Sequence, residues 1–248
     1  HLDLHDIHLH DKGVFAINTQ FNCIASFSIE HHFTPRWVPP FIDAIVPEDR
    51  CHLNGMAVKD HFPAYVTALG RGNEKGSWRE GITTDGVLMD VAQNTVVFSD
   101  LAMPHSPRFI GDELYLIESA KGDLVKIDPA TATKTVVGST AAFSRGLAHF
   151  NGIAAIGRSK ARETSKTFQK LPEELRRKPA GVDLLDLSSG HLLGRLHFGN
   201  VVDEIYDVQA ITGPTVGMYG MAGTDFYEPI TTPDFSFWLK VENGLKPK

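Results

Sequence analysis

The sequence predicts an all-β fold of β-propeller type, with about five four-stranded blades visible, either a complete small ring or part of a six- or seven-bladed one. Three observations predict it. Strand-length apolar runs end in turn residues, helical periodicity is nearly absent, and a polar anchor recurs at a fixed distance from a hydroxyl residue. Units of about 40 to 60 residues carrying four strands each are how propeller blades show in a sequence. A two-sheet sandwich supplies similar strands but gives the anchor no reason to repeat.

The strands come first. GVFAINT (13–19), CIASFSI (23–29), AYVTALG (64–70), GVLMDVA (86–92), ELYLIES (113–119), GIAAIGRS (152–159) and GVDLLDL (181–187) are rich in Val, Ile, Leu, Phe and Tyr. Such side chains fit a pleated, half-buried surface, and turn residues such as DPATAT and LSSG close the runs. One helix is predicted between Phe168 and Lys178, where PEELRRK opens on a proline suited to a first helical turn.

The repeat comes next. His5, His105 and Arg145 each stand 14 residues before Thr19, Ser119 and Ser159, and His52 stands 15 before Thr67. Between anchor and hydroxyl lie a strand, a turn and a second strand. The turns are Asp11-Lys12-Gly13, Lys59-Asp60-His61, Gly111-Asp112 and Asn151-Gly152. A fifth copy is expected from Glu204 through IYDVQAI, TGPT and VGMYG. Two stretches interrupt the series. Residues 31–50 hold four prolines, residues 160–180 are charged, and both are expected to form loops over one face of a single domain spanning 1–248.

Composition narrows the function classes. Apolar residues make up 42% and the net charge is −6, and no Lys/Arg run offers a polybasic tract, so a broad nucleic-acid surface is not expected. No run of about 18 apolar residues offers a membrane helix. Two cysteines, Cys23 and Cys51, define no disulfide framework and favour a reducing, cytoplasmic setting. No phosphate-binding loop, dinucleotide fingerprint, HExxH, CxxC or GxSxG is present.

Candidate chemistry follows from the anchors. Residues opening the inner strand of each blade converge on the axis, so His5, His52 and His105 are expected to ligate a divalent transition metal (Zn, Mn, Fe or Ni), with Glu204 completing the shell. Arg108 and Arg145, with Arg50 and Lys160, would hold an anionic small molecule or oligosaccharide, because a guanidinium meets a carboxylate as a planar fork. Asp207 is the candidate general base beside Arg145. The leading expectation is a metal-dependent lyase or hydrolase. Its alternative is a non-catalytic binding module for an acidic sugar or peptide, with Trp37 and Phe41 of the 31–50 loop supplying aromatic contacts. A competing role for the arginines is as struts between blades, paired with Asp6, Asp49, Glu204 or Asp207. The remaining histidines, His8, His10 and His61 among them, lack the repeated placement and are expected at turns or on the surface.

Across LHDIHL, NTQFNCIASF, FTPRWVPPFI, DRCHLNGMA, YVTALG, MPHSPR, FSRGLA, GRSKARE and EIYDVQ, nearly the whole chain in order, the sequence resembles an uncharacterised bacterial family of the DUF4915 type. The resemblance implies a propeller-like fold and further sequence before the HD segment, so an N-terminal portion is expected to be missing. It implies no activity, and no catalytic role is carried over from it.

Overall fold

In the computed structural model the described residues are 2–11, 13–161, 167–198, 202–211, 218–219, 226–231 and 236–240. They fall into two units, His1–Ala210 and Ile211–Lys248. The first unit holds four successive antiparallel sheets, each a four-stranded meander in chain order. The first sheet is β1 (Leu4–His10), β2 (Gly13–Asn18), β3 (Cys23–Ser26) and β4 (Thr34–Trp37). The second is β5 (Leu53–Lys59), β6 (Phe62–Ala68), β7 (Gly86–Asp90) and β8 (Thr95–Leu101). The third is β9 (Pro104–Ile110), β10 (Glu113–Glu118), β11 (Asp123–Asp128) and β12 (Thr133–Ser139), and the fourth β13 (Ser144–Phe150), β14 (Ile153–Arg158), β15 (Gly181–Asp186) and β16 (Leu192–His197). The second unit contains a three-stranded sheet, β17 (Met218–Tyr219), β18 (Phe226–Thr231) and β19 (Ser236–Lys240).

All seven predicted apolar runs are strands. In the second and fourth sheets the residues between the first two strands make two-residue hairpins because their backbones tolerate positive φ: Asp60 and His61 lie at +51° and +67°, Asn151 and Gly152 at +46° and +77°. The helix prediction shrinks to a single turn, α1 (Glu173–Arg176), with Pro172 at its N-cap and a 3₁₀ turn at Phe168–Lys170 before it. The 31–50 stretch is not wholly a loop, since Thr34–Trp37 is the outer strand of the first sheet.

Alternate residues in the middle sheets face opposite neighbours. Met56, Val66, Val87 and Met89 pack toward Ile17 and Ile24 of the first sheet, whereas Ala57, Leu88 and Leu101 pack toward Leu114, Leu116 and Val125 of the third. The third sheet divides in the same way, with Tyr115, Ile117 and Leu124 turned to Leu147, Ala154 and Ile156 of the fourth. The period of two along each strand thus fills two cores at once. Each fully buried Leu or Ile contributes about 1.5–3 kcal/mol of burial. A two-layer sandwich is excluded, because the second and third sheets are covered on both faces. The four sheets form an open series consistent with a propeller-like arrangement.

The inner strands β1, β5, β9 and β13 lie side by side in that order. Their first ladder pairs are Leu4↔Asn18, Leu53↔Ala68, Pro104↔Glu118 and Ser144↔Arg158, and the pairing register shifts shortly after each. His5, Asn54, His105 and Arg145 therefore share one register place. This corrects the sequence alignment at one sheet: His52 stands two residues earlier than Asn54, level with Asp3 and Met103. Asp3, His52 and Met103 all take positive φ, at +52°, +53° and +59°.

The same register place carries a chain of hydrogen bonds from each sheet to the next. Thr19 Oγ1 donates to the Leu53 carbonyl at 2.6 Å, Asn54 Nδ2 to the Pro104 carbonyl at 2.9 Å, and Ser119 Oγ to the Ser144 carbonyl at 2.5 Å. Ser159 Oγ donates to the Ile205 carbonyl at 3.1 Å and accepts from the Ile205 amide. Three of the four recurring hydroxyls, Thr19, Ser119 and Ser159, are thus inter-sheet clips, whereas Thr67 donates within its own sheet to Asn54 Oδ1 at 2.7 Å. The fifth copy differs from expectation in its first strand: residues 204–210 form no regular strand, although Ile205 occupies the clipped place, while TGPT and all of VGMYG but Met218–Tyr219 lie outside the described residues. Gly146, at φ +82°, lets this segment approach, since a Cβ there would lie 2.8 Å from the Asp207 backbone.

Candidate functional site

The clips decide where the anchor side chains point. Thr19 has one hydroxyl proton, and it goes to Leu53. The 2.7 Å contact between Thr19 Oγ1 and His5 Nδ1 must then be a bond donated by the ring. Ser119 repeats the arrangement with His105 Nδ1 at 2.9 Å, and the Asp3 and Met103 carbonyls accept from the same two nitrogens. Both imidazoles therefore carry their proton on Nδ1 and present an Nε2 lone pair. Burial, reinforced at His5 by His52 and at His105 by Arg145, holds them neutral by lowering His5 to about 4 and His105 to about 3.

These residues bound two connected spaces. A cavity of about 20 Å³ is lined by His5, Asn54, His105, Arg145 and Tyr206, together with Asp6, Ser106, Arg108 and Asp207. It has room for about one water molecule. Above it opens a mouth of about 380 Å³, which shares His5, His105, Arg145 and Tyr206 and adds His52, Asp49, Trp78, Arg79, Phe143 and Phe168. That volume lies within the range of small-molecule sites.

Asp49 organises one wall. Its carboxylate accepts from His52 Nδ1 at 3.0 Å and from Trp78 Nε1 at 3.1 Å, and Arg79 stands 4.0 Å away. The His52 ring meets His5 edge-on at 4.8 Å and lies 4.2 Å from Trp78. The Arg79 guanidinium stacks on Trp78 at 4.3 Å, and that of Arg145 on Tyr206 at 4.7 Å.

The predicted site residues separate into groups. His5, His52, His105 and Arg145 come together at the mouth. Glu204 lines neither space and pairs with Arg145 at 2.9 Å. Arg108 is a strut, bonded to Asp6 at 2.8 Å and lying 3.9 Å from Asp207. Asp207 lines the small cavity and accepts from Gln209. Arg50 is held by Asp43 and Glu48, away from both spaces. Lys160 is exposed, with its amide bonded to the Asp203 carbonyl. Trp37 lines a separate groove with Phe15 and Phe62, and Phe41 packs on the first core. Among the described residues, no three His, Cys, Asp or Glu side chains are set to hold one metal ion. Cys23 and Cys51 are buried free thiols, their ionisation pushed up by burial, Cys23 to about 12.

Sequence reasoning missed Asn54, Trp78, Arg79, Phe168 and Tyr206. Asn54 and Tyr206 were within reach, each falling one or two places from a chosen anchor. Trp78 and Arg79 sit on a 3₁₀ turn (Ser77–Arg79) in a loop without counterparts in the other sheets, so no repeat pointed to them.

A family model described as "Domain of unknown function (DUF4915)" matches residues 1–219. No curated protein matches the chain. Among solved structures, the chain is similar to the computationally designed Ika8 protein, with 10% identity and a TM-score of 0.44 over 84% of this chain. It spans about half of that protein's length (53%).

Proposed function

The chain belongs to the DUF4915 family, and from the geometry of its central site we propose that it is a propeller whose mouth binds an acidic sugar. The carrying observation is the pair of Nε2 lone pairs on His5 and His105. A lone pair in a dry wall accepts a hydroxyl proton and repels a bare anion, so the floor of the site suits a hydroxylated ligand. Trp78, Phe168 and Tyr206 offer apolar faces for the ring of such a ligand. Arg79, on the rim, is the cation for its carboxylate. The propeller reading is supported by the clips, which link each inner strand to the next at one register place and extend to Ile205.

Calorimetric titration with uronic acids and their neutral hexose counterparts tests the proposal. The uronic acids are expected to bind more tightly, and Arg79→Gln to erase the preference. Absence of binding by every sugar at about 10 mM, which corresponds to less than about 3 kcal/mol, overturns it.

A metal-dependent lyase or hydrolase acting on an anionic substrate is the second reading. It is favoured by one observation: Nδ1 of His5, His52 and His105 is each held by a protein acceptor or hydroxyl, the support that metal-bound imidazoles receive. An ion would have to find one nitrogen of each ring directed at a common point. Stoichiometric metal in protein purified without added metal, lost on His105→Ala, is its test.

A further inference from the structure

A second histidine cluster lies outside this site. His8 and His10 occupy alternate places of β1 and so share one face of the strand, and His61 stands at the tip of the β5–β6 hairpin. Their ring centroids form a nearly equilateral triangle with sides of 6.0, 6.3 and 6.4 Å. Phe15 and Phe62 close one side of it, at 5.3 and 6.5 Å from His10. The His10 side chain is only 7% exposed, and Asp11 lies 3.6 Å from its Nδ1. His8 Nε2 is buried without a hydrogen-bond partner. Three imidazoles against an apolar wall, one with an unsatisfied nitrogen, are unusual for a merely solvated surface.

We propose that His8, His10 and His61 form a binding site for a divalent first-row transition ion, which ties the first sheet to the second. Imidazole nitrogen is a preferred donor for Zn, Cu and Ni. The point equidistant from the three centroids is about 3.6 Å from each. A ring bonded to zinc at 2.0–2.1 Å has its centroid about 3.2 Å from the ion. The rings thus stand slightly open, which agrees with the lack of a preformed three-ligand group. Closing the difference takes a side-chain rotation at each residue that brings a nitrogen of the ring to that point, the three ring planes now lying 14° to 31° from one another. His61 is free to make it at an exposed hairpin tip, unlike His5 and His105, which the clips hold in place. Water or Asp11 would fill the remaining position.

The test is calorimetric titration of Ni²⁺ and Zn²⁺ into the metal-free full chain, beside His61→Gln, His8→Ala/His61→Ala and His105→Ala. One ion per chain is expected, weakened at least about tenfold in the first two variants and unchanged in His105→Ala. Circular dichroism confirms that the first two variants, altered at a hairpin tip and a sheet edge, keep their strands. No binding at about 100 μM metal, or binding undiminished in the double variant, overturns the proposal. Loss in His105→Ala alone places the ion at the central site and overturns it as well.

Discussion

The hydroxyl of Tyr206 donates to the carbonyl of Leu4 across 3.4 Å, joining residues 202 positions apart in the chain. Leu4 holds the same register place in β1 that Leu53, Pro104 and Ser144 hold in β5, β9 and β13, and those three carbonyls accept the clips from the preceding sheets. Tyr206 follows Ile205, the fourth clipped residue, as His5 follows Leu4. The side chain at the end of the series therefore reaches back to its beginning, and five of the nine residues lining the small cavity stand in equivalent places.

Tyr206→Phe removes this bond and leaves the ring stacked on Arg145. At 3.4 Å the bond is long, so a loss of about 0.5 kcal/mol is expected, the low end for a hydrogen bond. Chemical unfolding of the full chain measures it. Tyr206→Ala, which also removes the stack, should cost more.

Thr19 and Ser119 each serve a carbonyl of the next sheet and an imidazole of their own. Ser119→Ala leaves the Ser144 carbonyl and His105 Nδ1 without the hydroxyl, in a place with no exposure. A loss of about 1–3 kcal/mol is expected. Ser119→Thr, which keeps the hydroxyl, should lose less. Nitrogen NMR of the imidazoles should show the Nδ1-protonated form at His5 and His105 in the native protein and still at His105 in Ser119→Ala, where the Met103 carbonyl keeps accepting from Nδ1.

The two buried imidazoles make stability depend on pH in a defined direction. Their folded values, about 4 and about 3, lie below the ordinary 6.5, so the unfolded chain takes up protons that the folded chain refuses. Stability is insensitive to these rings above pH 6.5 and falls as the pH drops from 6.5 toward 4 and 3. The slope reaches at most about 1.4 kcal/mol per pH unit for each ring. Urea unfolding between pH 7.5 and 5, above the carboxylate range, measures this effect together with that of His8, which burial also lowers. His105→Gln should lower the slope.

Arg158 and Asp183, 1% and 0% exposed, form a buried pair in the fourth sheet, and Arg195 adds two further bonds to the same carboxylate, each at 2.8 Å. Asp183→Asn strands the Arg158 charge and is expected to cost about 3–5 kcal/mol. A thermal midpoint lowered by several degrees, with Arg195→Ala much milder, checks it.

The sequence by itself determined the strands, their hairpins, the fourfold meander and the recurrence of a polar residue opposite a hydroxyl, because alternation and turn residues are local properties of the backbone. The 14-residue spacing was legible for the same reason: two strands and a two-residue turn have a fixed length. What the spacing meant was settled by tertiary structure. A hydroxyl 14 residues from an imidazole could have been ornament on a strand end, and only the neighbouring sheet's carbonyl makes it a clip and fixes the ring's tautomer. The register of the second sheet was hidden because its first hairpin carries an additional irregularity between Ala57 and Val58, so that its first pair, Leu53 and Ala68, is 15 residues apart where the other sheets have 14, and Asn54 rather than His52 stands in the shared place. Trp78 and Arg79 were invisible because a loop without a repeat gives no pattern to read. The pairing of Arg108 with Asp6 was named as an option but could not be chosen, since 102 residues separate the two charges and only the packing of one sheet on the next brings them within 2.8 Å.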